Sequence, residues 1–249
     1  MKRWEHRFEL KPGRWVFVPT PVVRASGESV RSSVSKAWSA PSFYFHLRQG
    51  GHVAALRRHI DSHHFFRSDL DDFFGRVNRS RVTRCLKRYF SYSDARRMAD
   101  ESVVFRPGTS KTMLPYGYVQ SPMLASLALD RSRVGRFLRQ CDSREDLNVS
   151  VYVDDIILSS DDSSLLHDAA AELTQYAEDS GFPLSLGKSE GPSPLVTAFN
   201  VELSHSSLSI SEERLDRFRE SYLAASSAQE QLGIIGYVES INPAQVAKL

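Results

Sequence analysis

The stretch Ser150-Val151-Tyr152-Val153-Asp154-Asp155-Ile156-Ile157-Leu158-Ser159-Ser160 decides how this chain is read. Two adjacent carboxylates, Asp154 and Asp155, separate two apolar runs, with Val149, Val151 and Val153 before them and Ile156 and Ile157 after. Both runs carry the β-branched residues of strands. Neighbours on a flat strand point to opposite faces, so two carboxylates that converge on one ion need the hairpin turn that this pattern predicts. An unpaired charge is costly to bury. An acid pair inside an apolar hairpin therefore points to a divalent cation. The competing reading is a plain solvent-exposed Asp-Asp turn, and Asp71-Asp72 and Asp161-Asp162 show how readily the pair occurs.

Upstream lies Phe65-Phe66-Arg67-Ser68-Asp69-Leu70-Asp71-Asp72-Phe73-Phe74, and between the two comes Leu114-Pro115-Tyr116-Gly117-Tyr118-Val119-Gln120-Ser121-Pro122. Tyr152-Val153-Asp154-Asp155 resembles the signature of reverse transcriptases, and the other stretches match that family in the right order. Asp69 matches an acid that ends a strand, with the aromatic Phe74 five residues later. Leu114–Pro122 is similar to the family's Leu-Pro-Gln-Gly…Ser-Pro motif, with Tyr116 in place of Gln. Leu184-Ser185-Leu186-Gly187-Lys188 resembles the motif that carries a lysine near the triphosphate. Val196–Leu203 resembles the primer-grip hairpin, and Gly236–Pro243 looks like a piece of the thumb of bacterial members. The resemblance covers roughly residues 15 to 245.

What the resemblance implies is an α+β right-hand polymerase fold with palm, fingers and a short helical thumb. Residues 1–60 would belong to the fingers, 61–203 to the palm with inserted fingers helices, and 204–249 to the end of the primer grip and the thumb. The expected activity is RNA-directed DNA synthesis by two-metal nucleotidyl transfer. Asp69, Asp154 and Asp155 would be catalytic and hold two magnesium ions, manganese being the alternative, with a backbone carbonyl near Leu70 as a further ligand. Asp69 and Asp154 would bridge both ions; Asp71 and Asp72 compete for the upstream role and are disfavoured by position. Phe74 would lie under the sugar and select dNTPs over rNTPs; the other reading packs Phe73 and Phe74 in the core. Tyr116, Gly117, Gln120 and Lys188 complete the expected nucleotide site. Tyr offers a ring and one hydroxyl where Gln offers an amide, so sugar or base contacts should differ. Lys188 is either a cation at the pyrophosphate or a solvated loop lysine. Among Arg14, Arg24 and Arg31, Arg24 is the choice for a triphosphate cation in the fingers.

Composition agrees with a folded protein, with 41% apolar and 25% charged residues. No run approaches about 20 apolar residues, so no membrane span is expected. The N-terminus lacks an apolar signal core, and the two cysteines, Cys85 and Cys141, give no disulfide framework. A cytoplasmic protein is the expectation. The net charge of +2 hides an asymmetry: residues 1–140 carry 26 Lys and Arg against 11 Asp and Glu, whereas 141–249 carry 6 against 19. A basic first half is the footprint of a polyanion. The densest patch, 76–97, includes Arg76, Arg79, Arg84, Lys87 and Arg88 with Tyr89, Phe90 and Tyr92 interleaved. Basic groups neutralise phosphate and aromatics stack on bases, so this patch is the expected nucleic-acid contact; a solvated helix face is the alternative.

Strands are predicted over 14–23, 65–70 and 101–106, and in the hairpin 149–160. Helices are predicted over 29–38, 51–60 and 78–90. A further helix should run from 121 to 140, with Ser121 as cap and Pro122 in the first turn. Another starts at the capping residue Ser163 and stops at Gly181, and a last one spans 211–229. Residues 24–35, 187–194 and 204–209 read as loops.

Neither a P-loop nor a G-x-S-x-G elbow is present. His59 and His63 lie four apart, but no full zinc motif accompanies them. Of the family's branches, the Tyr116 variant and the Asn242-Pro243 thumb look most like bacterial stand-alone enzymes of retron, abortive-infection or defence-associated type. No RNase H, integrase or maturase domain is expected within these 249 residues. The implied partners are an RNA template or structured non-coding RNA, dNTPs and the DNA product, with a second subunit or self-assembly to help the short thumb. Two rival readings stay open: template-independent or protein-primed DNA synthesis on the same fold, and an RNA-binding defence component with little catalysis.

Overall fold

The computed structural model describes residues 3–249. The chain opens with a hairpin, β1 (Trp4–Lys11) and β2 (Arg14–Pro19), followed by α1 (Pro21–Ala37) and α2 (Gly51–Arg57). After β3 (His64–Asp69) come α3 (Arg79–Leu86), α4 (Tyr92–Ser102), the short β4 (Val104–Phe105) and β5 (Thr112–Met113), and the helices α5 (Ser121–Asp130) and α6 (Arg133–Asp142). The hairpin β6 (Asn148–Tyr152) and β7 (Asp155–Ser160) leads into α7 (Ser163–Asp179) and β8 (Glu190–Ser193). The strands β9 (Leu195–Ala198), β10 (Val201–Ser204) and β11 (Ser207–Ile210) precede α8 (Glu212–Leu223) and α9 (Ala228–Ile241).

The strand pattern of 65–69 and 149–160 builds a four-stranded antiparallel sheet in the order β6-β7-β3-β8. Side chains alternate across it. Phe66, Ile156 and Leu158 face a large core filled by α5, α6 and α7. Phe65 and Ile157 face the other way, into a second core with the three-stranded sheet β11-β10-β9 and α9. Each of these fully buried apolar side chains contributes about 1.5–3 kcal/mol relative to exposure. The parity matters for chemistry: Arg67 and Asp69 follow Phe65 at steps of two, and Asp155 precedes Ile157 by two. All three therefore lie on the face turned away from the helix layer.

Several expected boundaries move, each for a local reason. Helix α1 begins at Pro21, not Ser29, because Thr20 caps it by accepting from the Val23 amide. The single helix expected over 121–140 is two. Ser132 recaps the chain by accepting from the Gly135 amide at 3.2 Å. Gln120, not Ser121, is the cap residue of α5, and the Ser121 hydroxyl instead donates to the Pro115 carbonyl at 2.7 Å. Asp162, not Ser163, caps α7, accepting from Ser164 and Leu165. Helix α4 was absent from the expectation, and the strand expected over 101–106 is only β4. The helix expected over 211–229 ends at Leu223 as α8, and α9, capped by Ser227, was absent from the expectation. Parts of the expected loops 187–194 and 204–209 pair as β8 and β11. The boundary drawn at 203 thus falls inside β10, and the three-stranded sheet continues to Ile210. Among the described residues no helix is long and apolar enough to cross a membrane.

Below the sheet face that carries Phe65, His59 is fully buried between two serines: Nδ1 lies 2.8 Å from Ser159 Oγ and Nε2 2.8 Å from Ser150 Oγ. Burial, with Arg58 adding to it, pushes its pKa down to about 3. The unfolded chain takes up this proton near pH 6.5 and the folded one does not. Stability from this group is therefore present above pH 6.5 and lost as pH falls, by about 1.4 kcal/mol per unit down to about pH 3. Urea titrations at pH 6 and pH 5 should show a slope that is shallower by that amount in His59→Gln; equal slopes would show that His59 does not set the acid limb.

Candidate active site

The acids meet because β3 ends beside the β6–β7 turn. Asp69 is the register partner of Asp155 on β7, and Tyr152 on β6 is the partner of the same Asp155, leaving Val153 and Asp154 as a two-residue turn. The turn is tied to β3 by the Leu70 amide, which donates to the Asp154 carbonyl at 2.8 Å. This is how acids 85 positions apart in the chain come to one place.

Three cations surround them. Arg67 Nη2 lies 2.9 Å from Asp155 Oδ1 and 3.0 Å from Asp69 Oδ1. Lys188 Nζ is bonded to Asp69 Oδ2, and Arg14 Nη2 stands 4.0 Å from Asp154 Oδ2. Even so, the charge is not balanced in energetic terms. Burial, with Asp154 and Asp69 adding to it, raises Asp155 to about 6 against the pull of Arg67. Asp154 is also raised, by burial first and Asp69 second, against Arg14 and Lys188. Asp69 Oδ1 is buried, and its contact with Arg67 is out of hydrogen-bonding alignment, so it has no donor.

An orphaned buried carboxylate oxygen beside two acids that resist ionisation is a set that a divalent cation satisfies. Among the described residues no three His, Cys, Asp or Glu side chains close into a cage of their own. A hard cation that keeps waters and shares ligands with substrate phosphates has no need of a closed cage. Asp71 and Asp72, the competing acids, are already used: Asp71 pairs with Arg76 at 2.7 Å and Asp72 with Arg106.

The other expected residues divide. Phe74 is buried, and its ring lies 4.7 Å from that of Tyr116. Arg14 covers the other contact of Tyr116, its guanidinium 5.0 Å from the ring. Phe74, Tyr116, Arg14 and Asp154 thus form one chain of contacts leading from the core to the acids. Gly117 sits at φ 96°, and a Cβ there would strike the Phe17 carbonyl. That close approach lets the Phe17 amide donate to the Tyr116 carbonyl at 2.9 Å, docking β2 beside the site. Gln120 is enclosed: it is 1% exposed, wedged against Gly27 and donating to Ser102 Oγ at 3.4 Å. Arg24 is exposed on α1, outside the contacts that join the acids, whereas Arg14, passed over in the sequence, stands among them. Leu70 is buried, its amide spent on the turn. In the basic patch, Arg76 and Arg79 pair with Asp71 and Asp100, Lys87 lies 5.5 Å from the Tyr92 ring, and Arg84 and Arg88 line a separate cavity.

One residue with no local signal is His46. The Val153 amide donates to its Nδ1 at 2.9 Å, and its Nε2 lies 2.8 Å from Ser126 Oγ. Because an amide only donates, Nδ1 must be the acceptor, so Nε2 carries the proton toward Ser126. Val153 has φ 60°, a left-handed conformation that costs a β-branched residue on the order of 1–3 kcal/mol. His46 holds it there, and burial keeps the ring neutral by pushing its pKa down to about 4. His46→Phe keeps the ring and removes the acceptor. We expect kcat for nucleotide addition to fall about 10-fold, ~1.4 kcal/mol, with KM little changed, and His46→Gln to restore part of it. A loss confined to KM would show that His46 does not position the turn.

The sequence profile described as "Reverse transcriptase (RNA-dependent DNA polymerase)" matches residues 14–235. No curated protein sequence matches the chain. Among solved structures, the foamy viral protease-reverse transcriptase bound to an RNA/DNA hybrid is similar, at 18% identity and a TM-score of 0.51 over 81% of this chain and 23% of that one. Telomerase from Candida albicans with a telomeric RNA fragment is similar at 11% identity and a TM-score of 0.58, over 90% of this chain and 50% of that one. This chain spans between about a quarter and a half of those proteins, and at such identities the likeness speaks for the right-hand polymerase fold alone. With the profile covering most of its length, the chain belongs to the reverse transcriptase family.

Proposed function

We propose that this chain is an RNA-directed DNA polymerase that uses Asp69, Asp154 and Asp155 as ligands for two divalent ions. The observation that carries the reading is the register pair Asp69 and Asp155, bridged by Arg67, with Asp154 on the adjoining turn. Magnesium, or manganese in its place, would supply activation of a primer 3′-hydroxyl and neutralisation of the pyrophosphate. Lys188 and Arg14, the cations beside Asp69 and Asp154, are assigned to the triphosphate, and Phe74 backed by Tyr116 to the sugar. Residues 1–60 are read as fingers, the sheet and its helices as palm, β9–β11 as primer grip, and α8 and α9 as thumb.

The finer placement, among bacterial retron, abortive-infection or defence-associated enzymes with a dedicated structured RNA, rests on Tyr116 and the 236–243 stretch. The test is extension of a labelled DNA primer on an RNA template, with the product sequenced. A copy of the template supports the reading. Random or homopolymeric DNA would assign template-independent synthesis instead, and RNA binding without any DNA product would leave a non-catalytic RNA-binding protein. Sequencing of nucleic acid that co-purifies from the native host tests the dedicated RNA: one enriched structured species is expected.

A further inference from the structure

A strongly basic cavity lies apart from the acids. Between α3, the start of α6 and the end of α7, a pocket of about 370 Å³ is lined by Arg81, Arg84, Arg88, Arg131, Arg133 and Arg136, with no carboxylate in its wall. Arg81, Arg84 and Arg88 recur at steps of three and four along α3 and the turn after it, and Arg133 and Arg136 repeat the spacing on α6. Such steps put side chains on one helix face, so the two faces oppose each other across the cavity.

The protein's own acids neutralise only part of this charge. Arg133 pairs with Asp179 at 3.0 Å, and Arg131 reaches Asp130 at 3.9 Å. Asp130 is itself buried and already bonded to Arg139 and Trp38. Among the described residues Arg84, Arg88 and Arg136 form no ion pair. Arg81 donates through Nη2 to the Ser180 carbonyl at 2.9 Å, but its Nη1 is buried with no acceptor. Burial and neighbouring guanidiniums lower the pKa of Arg81 and of Arg131. Like charges held together destabilise a fold until an anion joins them, and a buried donor without an acceptor carries its full desolvation cost.

The occupant has phosphate chemistry. Guanidiniums present paired donors that match phosphate oxygens. Tyr89 lies beside the cavity, its ring 5.3 Å from the Arg131 guanidinium, and the largely exposed Tyr92 ring lies 5.5 Å from Lys87, which directly precedes Arg88 of the cavity wall. Rings next to cations suit stacked bases, which a free phosphate does not bring. A concave pocket admits the phosphates of a strand that bends into it, rather than the convex side of a straight duplex. The pocket shares no residue with the acid site. Arg81 lies over Phe182 at 4.3 Å, and Phe182 packs on Phe73 at 5.6 Å, so buried rings back the cavity.

We propose that this arginine pocket is a second nucleic-acid site, which holds the phosphates of a single-stranded or looped RNA segment outside the acid cleft. It rests on the polymerase reading only for the presence of RNA. The test is fluorescence anisotropy of the full chain with a labelled single-stranded RNA of about 20 nucleotides, over a salt series, with excess unlabelled primer–template duplex present and no dNTPs. In Arg84→Glu/Arg136→Glu the affinity should fall at least about 30-fold. The log K against log salt slope should become shallower by roughly 1.4, for two lost phosphate contacts on a single strand. Tyr92→Ala should weaken binding several-fold. Melting curves check folding, and Arg84→Gln/Arg136→Gln gives a milder version of the same result if the charge reversal unfolds the chain. Unchanged affinity and slope in a folded variant would overturn the proposal. So would complete displacement of the RNA by the duplex, which would place it in the cleft, or by 10 mM inorganic phosphate with no effect of Tyr92→Ala, which would assign a free-anion site. Normal RNA binding by a chain that makes no DNA would count against the polymerase reading alone.

Discussion

Asp154→Asn should abolish primer extension, lowering kcat by at least about 10³-fold, or ~4 kcal/mol of barrier, while the protein should melt at the same temperature or slightly higher. The two halves of this expectation have separate causes. Activity falls because an amide is a poor ligand for a hard divalent ion and does not neutralise its charge. Stability holds because the substitution touches nothing that builds the turn: the Asp154 backbone carbonyl still accepts from Leu70, and Val153 still donates to His46. Burial and Asp69 raise the pKa of Asp154, so its ionised form is costly to fold, and Asn removes that cost. Asp155 repeats the argument with a number. Its folded pKa of about 6 lies above the unfolded value near 3.9. The neutral form is thus favoured on folding, and stability present at low pH is lost as pH rises through about 6, by roughly 3 kcal/mol in the metal-free protein. Asp155→Asn should remove that loss, the opposite sign to the His59 effect. Calorimetry from about pH 3.5 to 7.5 alongside primer extension reads both. If Asp154→Asn retained activity within a few-fold, the acids would not be the metal ligands of a polymerase.

Phe74→Val should admit ribonucleotides. The ring is 5% exposed and held against Tyr116 at 4.7 Å, so it cannot swing aside without breaking that contact. If a sugar lies on it, a 2′-hydroxyl meets a wall that does not yield. Removing most of the ring should lower dNTP over rNTP discrimination by about 100-fold, ~2.7 kcal/mol in relative kcat/KM, with dNTP use kept within a few-fold. The same substitution costs about 2 kcal/mol of stability, since it opens a cavity in the core. Single-nucleotide incorporation rates for matched dNTP and rNTP pairs decide it. Equal losses for both would show that Phe74 serves packing alone.

Local patterns carried the outline of the site. The alternation around Asp154 predicted the hairpin, and the apolar run before Asp69 predicted β3. Face parity along β3 also carries a signal: Arg67, two residues before Asp69, must share its face, and it is the residue that bridges Asp69 and Asp155. Gln120 misled because a motif position says nothing of burial. The close packing of α1 at Gly27, which encloses its amide, is set by residues nearly a hundred positions away. Arg14 and Arg24 were equivalent in sequence, and only the docking of β2 on the Tyr116 loop separates them.

By itself, then, the amino-acid order determined β3, the β6–β7 hairpin and the acids at their ends, because alternation at a spacing of two is a property of neighbouring residues. Tertiary structure alone decided that His46 steadies a strained turn 107 positions away and that arginines from α3 and α6 face each other across a cavity. Those contacts depend on how distant elements pack, and long-range packing leaves no periodic trace in the local sequence.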